Sequence, residues 1–230
     1  MVDLFQNNRL KNRKVFFAVI ILIVTSYLVM FPEVGGDFSV MLSWSYLTIG
    51  GLSSMLLLVG FNRTKQFFRR MEKGSWKWVL LSIVLGMIVS ILFVQIGYFF
   101  NLTMAENAAF EGVSDTSLPL WIHIISAITT FVSLVGEEII TAAMAIIVYS
   151  YAEKSFDSRM SWILAALISA VLFGLMHYGV YDGNIFQCVF VIGIGRLPFT
   201  YAWRKTGSLW GGILAHVIYD FILFGILYVI

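Results

Sequence analysis

The chain has 230 residues, of which 60% are apolar and 12% charged, with a formal net charge of +2 and a mean hydropathy of +0.89. A soluble domain carries about 25% charged residues, so a water-facing globular enzyme is excluded, and so is a disordered chain, which would be poor in apolar residues. A single cysteine excludes an internal disulfide scaffold and the small net charge gives no case for nucleic acid. What remains is a polytopic helical membrane protein, because lipid admits only helices or closed barrels.

In chain order, the basic stretch Arg9, Lys11, Arg13 and Lys14 precedes an apolar run at 15–31. No small-residue cleavage site follows it, so it is read as a retained first helix. Further runs of spanning length lie at 40–60, 78–100, 120–151, 162–180, 185–203 and 208–230. The expected fold is therefore all-α, a transmembrane helical bundle of about seven spans. Every Lys and Arg except Arg196 falls at the N-terminus, between the second and third runs, between the fourth and fifth, or between the sixth and seventh. The opposite connections carry Glu33, Asp37, Glu106, Glu111, Asp115 and Asp182. The positive-inside bias puts the N-terminus in the cytoplasm and the C-terminus outside. Trp76, Trp78, Trp121, Trp162, Trp203 and Trp210 sit at run ends and read as interfacial anchors. Residues 1–119 hold the first three helices and the basic loop, 120–230 the last four, within one membrane domain.

Removing the loop charges leaves Glu137, Glu138, Arg196 and Asp220 inside spans, with His177 and His216. Each charge near the bilayer centre costs about 2.5 to 3.5 kcal/mol on insertion scales, so their presence asks for a functional reason. Counted from the cytoplasmic helix ends at about 1.5 Å per residue, they fall at similar depths and can share one layer. His216 and Asp220 are four apart and lie on one helix face, as do Phe173 and His177, whereas Glu137 and Glu138 diverge by about 100°. Only one of the two glutamates can face a common centre. Gly211 and Gly212, a turn before His216, allow a close helix approach. These groups suit two chemistries. A buried carboxylate can take a proton from water while imidazoles donate to an oxyanion. Alternatively, a divalent metal such as zinc would be held by Glu137, His177 and His216. The spacing selects neither, and no H-E-x-x-H motif is present.

Glu137-Glu138, then Phe173-x-x-x-His177, then His216-x-x-x-Asp220, with Gly207-Ser208-Leu209 leading into the last helix, resembles the CPBP family of intramembrane proteases. This family, also called Abi, includes CAAX prenyl endoproteases and bacteriocin-processing or self-immunity proteins. The resemblance implies Glu137 as the base that activates water, His177 as its partner in holding that water, and His216 with Asp220 as the oxyanion pair. Asp220 stands where many members have asparagine. Glu138 matches the second glutamate, which the family follows with an arginine four residues later, and here that position is Ala142. Arg196, alone among the basic residues in lying within a span, is expected to pair with Glu138 in its place. The implied protein is an endopeptidase of the bacterial plasma membrane acting on a peptide or membrane-protein substrate within the bilayer. The alternative is a catalytically silent immunity or scaffold protein that binds a partner membrane protein.

Overall fold

The computed structural model describes residues 2–6, 10–105 and 119–229. Arg9, Glu106, Glu111 and Asp115 therefore lie outside the described residues. The helices are α1 (Val2–Phe5), α2 (Asn12–Met30), α3 (Gly36–Val59), α4 (Phe61–Phe67), α5 (Trp76–Phe99), α6 (Leu120–Ala152), α7 (Ser158–Leu175), α8 (Leu197–Thr206) and α9 (Leu209–Val229). Among the described residues there is no strand. Five stretches are long and apolar enough to cross a membrane: Asn12–Met30, Leu42–Val59, Trp76–Phe99, Leu120–Ala152 and Ser158–Leu175; α9 adds the shorter apolar stretch Leu209–Leu223. On α5, Leu80, Val84 and Ile88 recur every four residues and are each more than half exposed, a row that lipid would cover.

α6 is the central post, packed on α3, α7 and α9. Its contact with α3 is close because both helices present glycine at the crossing. A Cβ at Gly136 would lie 2.5 Å from the Thr48 amide nitrogen, and one at Gly51 would lie 2.8 Å from that of Ile140. The Thr48 hydroxyl also donates to the Val132 carbonyl at 2.9 Å.

Two expected spans differ from the simple reading. The run at 162–180 stops being α-helical at Leu175 and continues as turns to residue 183. Asp182 (φ 48°) and Gly183 (φ 75°) take left-handed conformations that reverse the chain. Asn184 Oδ1 then accepts from the Gln187 amide at 3.0 Å, starting the next segment. The run at 185–203 is not one continuous α-helix. It forms a π-helical turn (Gln187–Gly193), a 3-10 turn (Ile194–Arg196) and the short α8. Pro198 has no N–H to give to a continuing ladder, and the backbones meet where a Cβ at Gly174 would come 2.9 Å from Gly193 Cα.

Phe5 ties one end of the bundle together, packing at 5.2 Å from Phe67, 5.9 Å from Tyr149 and 5.0 Å from Trp162 between ring centroids. At the same end the Arg69 Nε donates to the Gly207 carbonyl at 2.8 Å. The connections α3–α5, α6–α7 and α8–α9, with their lysines and arginines, thus form one basic face. Two tryptophans expected as interfacial anchors are instead core residues: Trp162 is 6% and Trp203 0% exposed. Trp162 is drawn in by the edge contact with Phe5, Trp203 by a buried carboxylate.

Candidate active site

Glu137 and Glu138 sit on α6 where it is enclosed by other helices, and the 100° between them sends the two carboxylates to different surroundings. Glu137 lines a cavity of about 870 Å³, together with Phe173, His177, Arg196, His216 and Asp220. Its Oε2 is 3.8 Å from His216 Nε2 and 4.0 Å from His177 Nε2. Glu138 points away into a fully enclosed site and is 0% exposed.

His177 lies just beyond the end of α7 rather than on it, yet it keeps the register of the Phe173-x-x-x-His177 motif. Its amide bonds to the Gly174 carbonyl at 3.0 Å, tightening the last turn. Its ring Nδ1 is 3.1 Å from the Phe173 carbonyl oxygen. A carbonyl only accepts, so Nδ1 carries a proton and Nε2 is the nitrogen turned to Glu137 and the cavity.

His216 is held from three sides. Its Nδ1 donates to Glu138 Oε1 at 3.0 Å, its ring stacks on Phe199 at 4.9 Å between centroids, and its Nε2 lies 3.4 Å from Asp220 Oδ2 one turn along α9. Glu138 therefore fixes which nitrogen of His216 faces the cavity, much as an outer carboxylate orients a catalytic imidazole.

Three donors converge on Glu138. Besides His216, Arg196 Nη2 lies 2.5 Å from Oε1 and Trp203 Nε1 donates to Oε2 at 2.7 Å. Arg196 Nη1 reaches Thr200 Oγ1 at 3.3 Å, and its guanidinium carbon sits 4.4 Å from the centre of the Phe173 ring. Arg196 is 2% exposed, so its cation is enclosed with its counter-ion rather than extended to the membrane surface. The broken sixth segment makes this convergence possible, since it brings Arg196, Phe199 and Trp203 into the bundle together. Gly212 leaves the needed room, because a Cβ there would lie 2.7 Å from Glu138 Oε2.

The structure thus brings Glu137, His177, His216 and Asp220 to one cavity, places Glu138 and Arg196 behind His216, and puts Phe173 between Arg196 and His177. Trp203 and Phe199 are additions to this set. A tryptophan at a run end carries no local sign of burial, and the only hint in the sequence is the glycine pair Gly211-Gly212 on the facing helix. Among the described residues no group of three His, Cys, Asp or Glu side chains is arranged to hold a metal ion.

Residues 119–222 match the family model described as Type II CAAX prenyl endopeptidase Rce1-like. No curated protein and no solved structure matches the chain. The matched segment, just under half of the chain, runs from α6 into α9 and contains every residue of the site, so over that stretch the chain is similar to the Rce1-like endopeptidases. The five helices long and apolar enough to cross a membrane make it a multi-pass helical membrane protein.

Proposed function

We propose that the chain is an intramembrane endopeptidase in which Glu137 activates a water for attack on a peptide bond. The observation that carries this reading is the 4.0 Å gap between Glu137 Oε2 and His177 Nε2. Both atoms are hydrogen-bond acceptors when the glutamate is ionised and His177 is neutral with its proton on Nδ1. A water about 2.8 Å from each would give one O–H to each acceptor at close to its natural angle, leaving its lone pairs turned into the cavity. Glu137 takes the proton as the water oxygen bonds to the carbonyl carbon, and returns it to the leaving amine as the C–N bond breaks. His216 Nε2, when protonated, donates to the developing oxyanion. Asp220 Oδ2, 3.4 Å from that nitrogen, accepts this N–H in the resting site and so orients the ring, and the bond passes to the oxyanion as negative charge develops on it. Glu138 does not line the cavity and is read as a positioning residue.

No step is routed through a metal ion. We further place the protein in a bacterial plasma membrane with its N-terminus and basic face in the cytoplasm, and with bacteriocin processing or self-immunity as its setting. The alternative is a silent immunity or scaffold protein, which an alanine at 142 in place of the family's arginine would favour. The guanidinium of Arg196 at Glu138 supplies the charge that Ala142 lacks, and weighs against that alternative.

The test is hydrolysis in ¹⁸O-labelled water by the purified protein in lipid nanodiscs, with a pool of single-span peptides as substrate. A heavy oxygen atom in the new carboxyl group of each amino-terminal product is expected. No cleavage, with the protein folded, would retire the reading.

A further inference from the structure

The cavity lies entirely to one side of the site. Its lining on α6 ends at Glu137, with nothing contributed between Glu138 and Ala152; on α5 it begins at Ser90, in the α7 segment at Phe173 and on α9 at His216. From those points it runs toward the ends of the helices that lie away from the basic face, reaching His123 near the start of α6 and Gly225 on α9. Along α6 that is about 21 Å, at 1.5 Å per residue. Exposed residues also line it there, among them Gln95, Ala127 and Phe221, so it opens on that side between the outer parts of α5, α6 and α9.

The walls are two-sided in character. His123, Ser126, Thr130, Ser133 and Glu137 recur at three- and four-residue spacing, so one face of α6 lays a polar stripe from the mouth to the catalytic carboxylate. Ile91 and Val94 on α5 and Phe221 and Leu223 on α9 line the same cavity with apolar groups. A stripe of hydrogen-bonding groups beside apolar walls matches an extended peptide, whose backbone is polar and whose side chains are apolar, better than an acyl chain, which can neither give nor accept a hydrogen bond.

Since lysines and arginines mark the cytoplasmic face, we infer that the catalytic cavity opens to the non-cytoplasmic side of the membrane, and that its occupant is an extended peptide segment presented there. The sidedness stands on the basic face and the cavity alone; the peptide occupant rests on the proteolytic reading.

Two measurements in cells test it separately. In a Cys188→Ser background, Ser126→Cys, Ala127→Cys and Ser133→Cys are each treated with a membrane-impermeant trimethylammonium thiosulfonate. Labelling of intact spheroplasts is expected at all three, with none at the lipid-facing Ile128→Cys. Labelling only from the cytoplasmic side of inverted vesicles, or none from either side in folded protein, overturns the sidedness. Second, single-span reporter peptides carry a randomised stretch next to the bilayer on either its outer or its cytoplasmic side. Cleavage is expected in the outer pool alone, and cleavage in the cytoplasmic pool alone overturns the inference while leaving the proteolytic reading intact. Outer labelling with neither pool cut overturns the peptide occupant together with the proteolytic reading, while the sidedness stands.

Discussion

Arg196 Nη2 and Glu138 Oε1 lie 2.5 Å apart with both residues enclosed, joining the broken sixth segment to the central helix. Breaking a buried pair by removing one partner costs about 3 to 5 kcal/mol, since the remaining charge is left without compensation. Arg196→Ala is therefore expected to lower thermal stability sharply and to abolish cleavage. Ala142 is wholly buried one turn from Glu138, so Ala142→Arg alone overpacks the core. Combined with Arg196→Ala, it supplies a cation on the same helix face as Glu138 and part of the lost stability and activity is expected to return. A double-mutant cycle by thermal unfolding reads this coupling.

Trp203→Phe keeps an aromatic ring at this buried position but removes the pyrrole part of the indole and with it the Nε1 donor to Glu138 Oε2. A hydrogen bond to a charged group is worth about 1.5 to 3 kcal/mol, so a smaller loss of stability than for Arg196→Ala is expected in denaturation of the purified protein. An interfacial anchor would show no such loss.

Asp220→Asn retains an oxygen that can accept from His216 Nε2 while removing its charge. Cleavage within about tenfold of the wild type is expected, because the role assigned to Asp220 is to orient an imidazolium rather than to move a proton itself. Asp220→Leu leaves Nε2 without that acceptor and is expected to lose far more. Equal loss in both would show that the charge itself is required.

Gly212→Val does not touch the cavity, but its side chain would enter the space of Glu138 Oε2 and Trp203. Loss of activity with the fold retained by circular dichroism is expected.

Much of the site can be read from the chain because charged residues in apolar runs are conspicuous: Glu137, Glu138, Arg196 and Asp220 stand out against their surroundings, and helical spacing groups His216 with Asp220. Hydropathy says little about backbone path. The run at 185–203 is apolar apart from Gln187, Arg196 and Thr200, so its π turn and Pro198 break are invisible to an average, as is the end of α7 before His177. Trp203 is misjudged for a related reason. An amphipathic ring at a run end suits an interface and a buried carboxylate equally well, and only the packing of three helices decides between them.

The central claim is that the Glu137 carboxylate is the base, and Glu137→Gln tests it most directly, since it preserves volume and removes only the proton acceptor. With the fold verified by thermal unfolding, single-turnover cleavage of a membrane peptide is expected to fall by about 10² to 10⁴, the usual worth of general-base catalysis. Cleavage at the wild-type rate in Glu137→Gln would contradict the account.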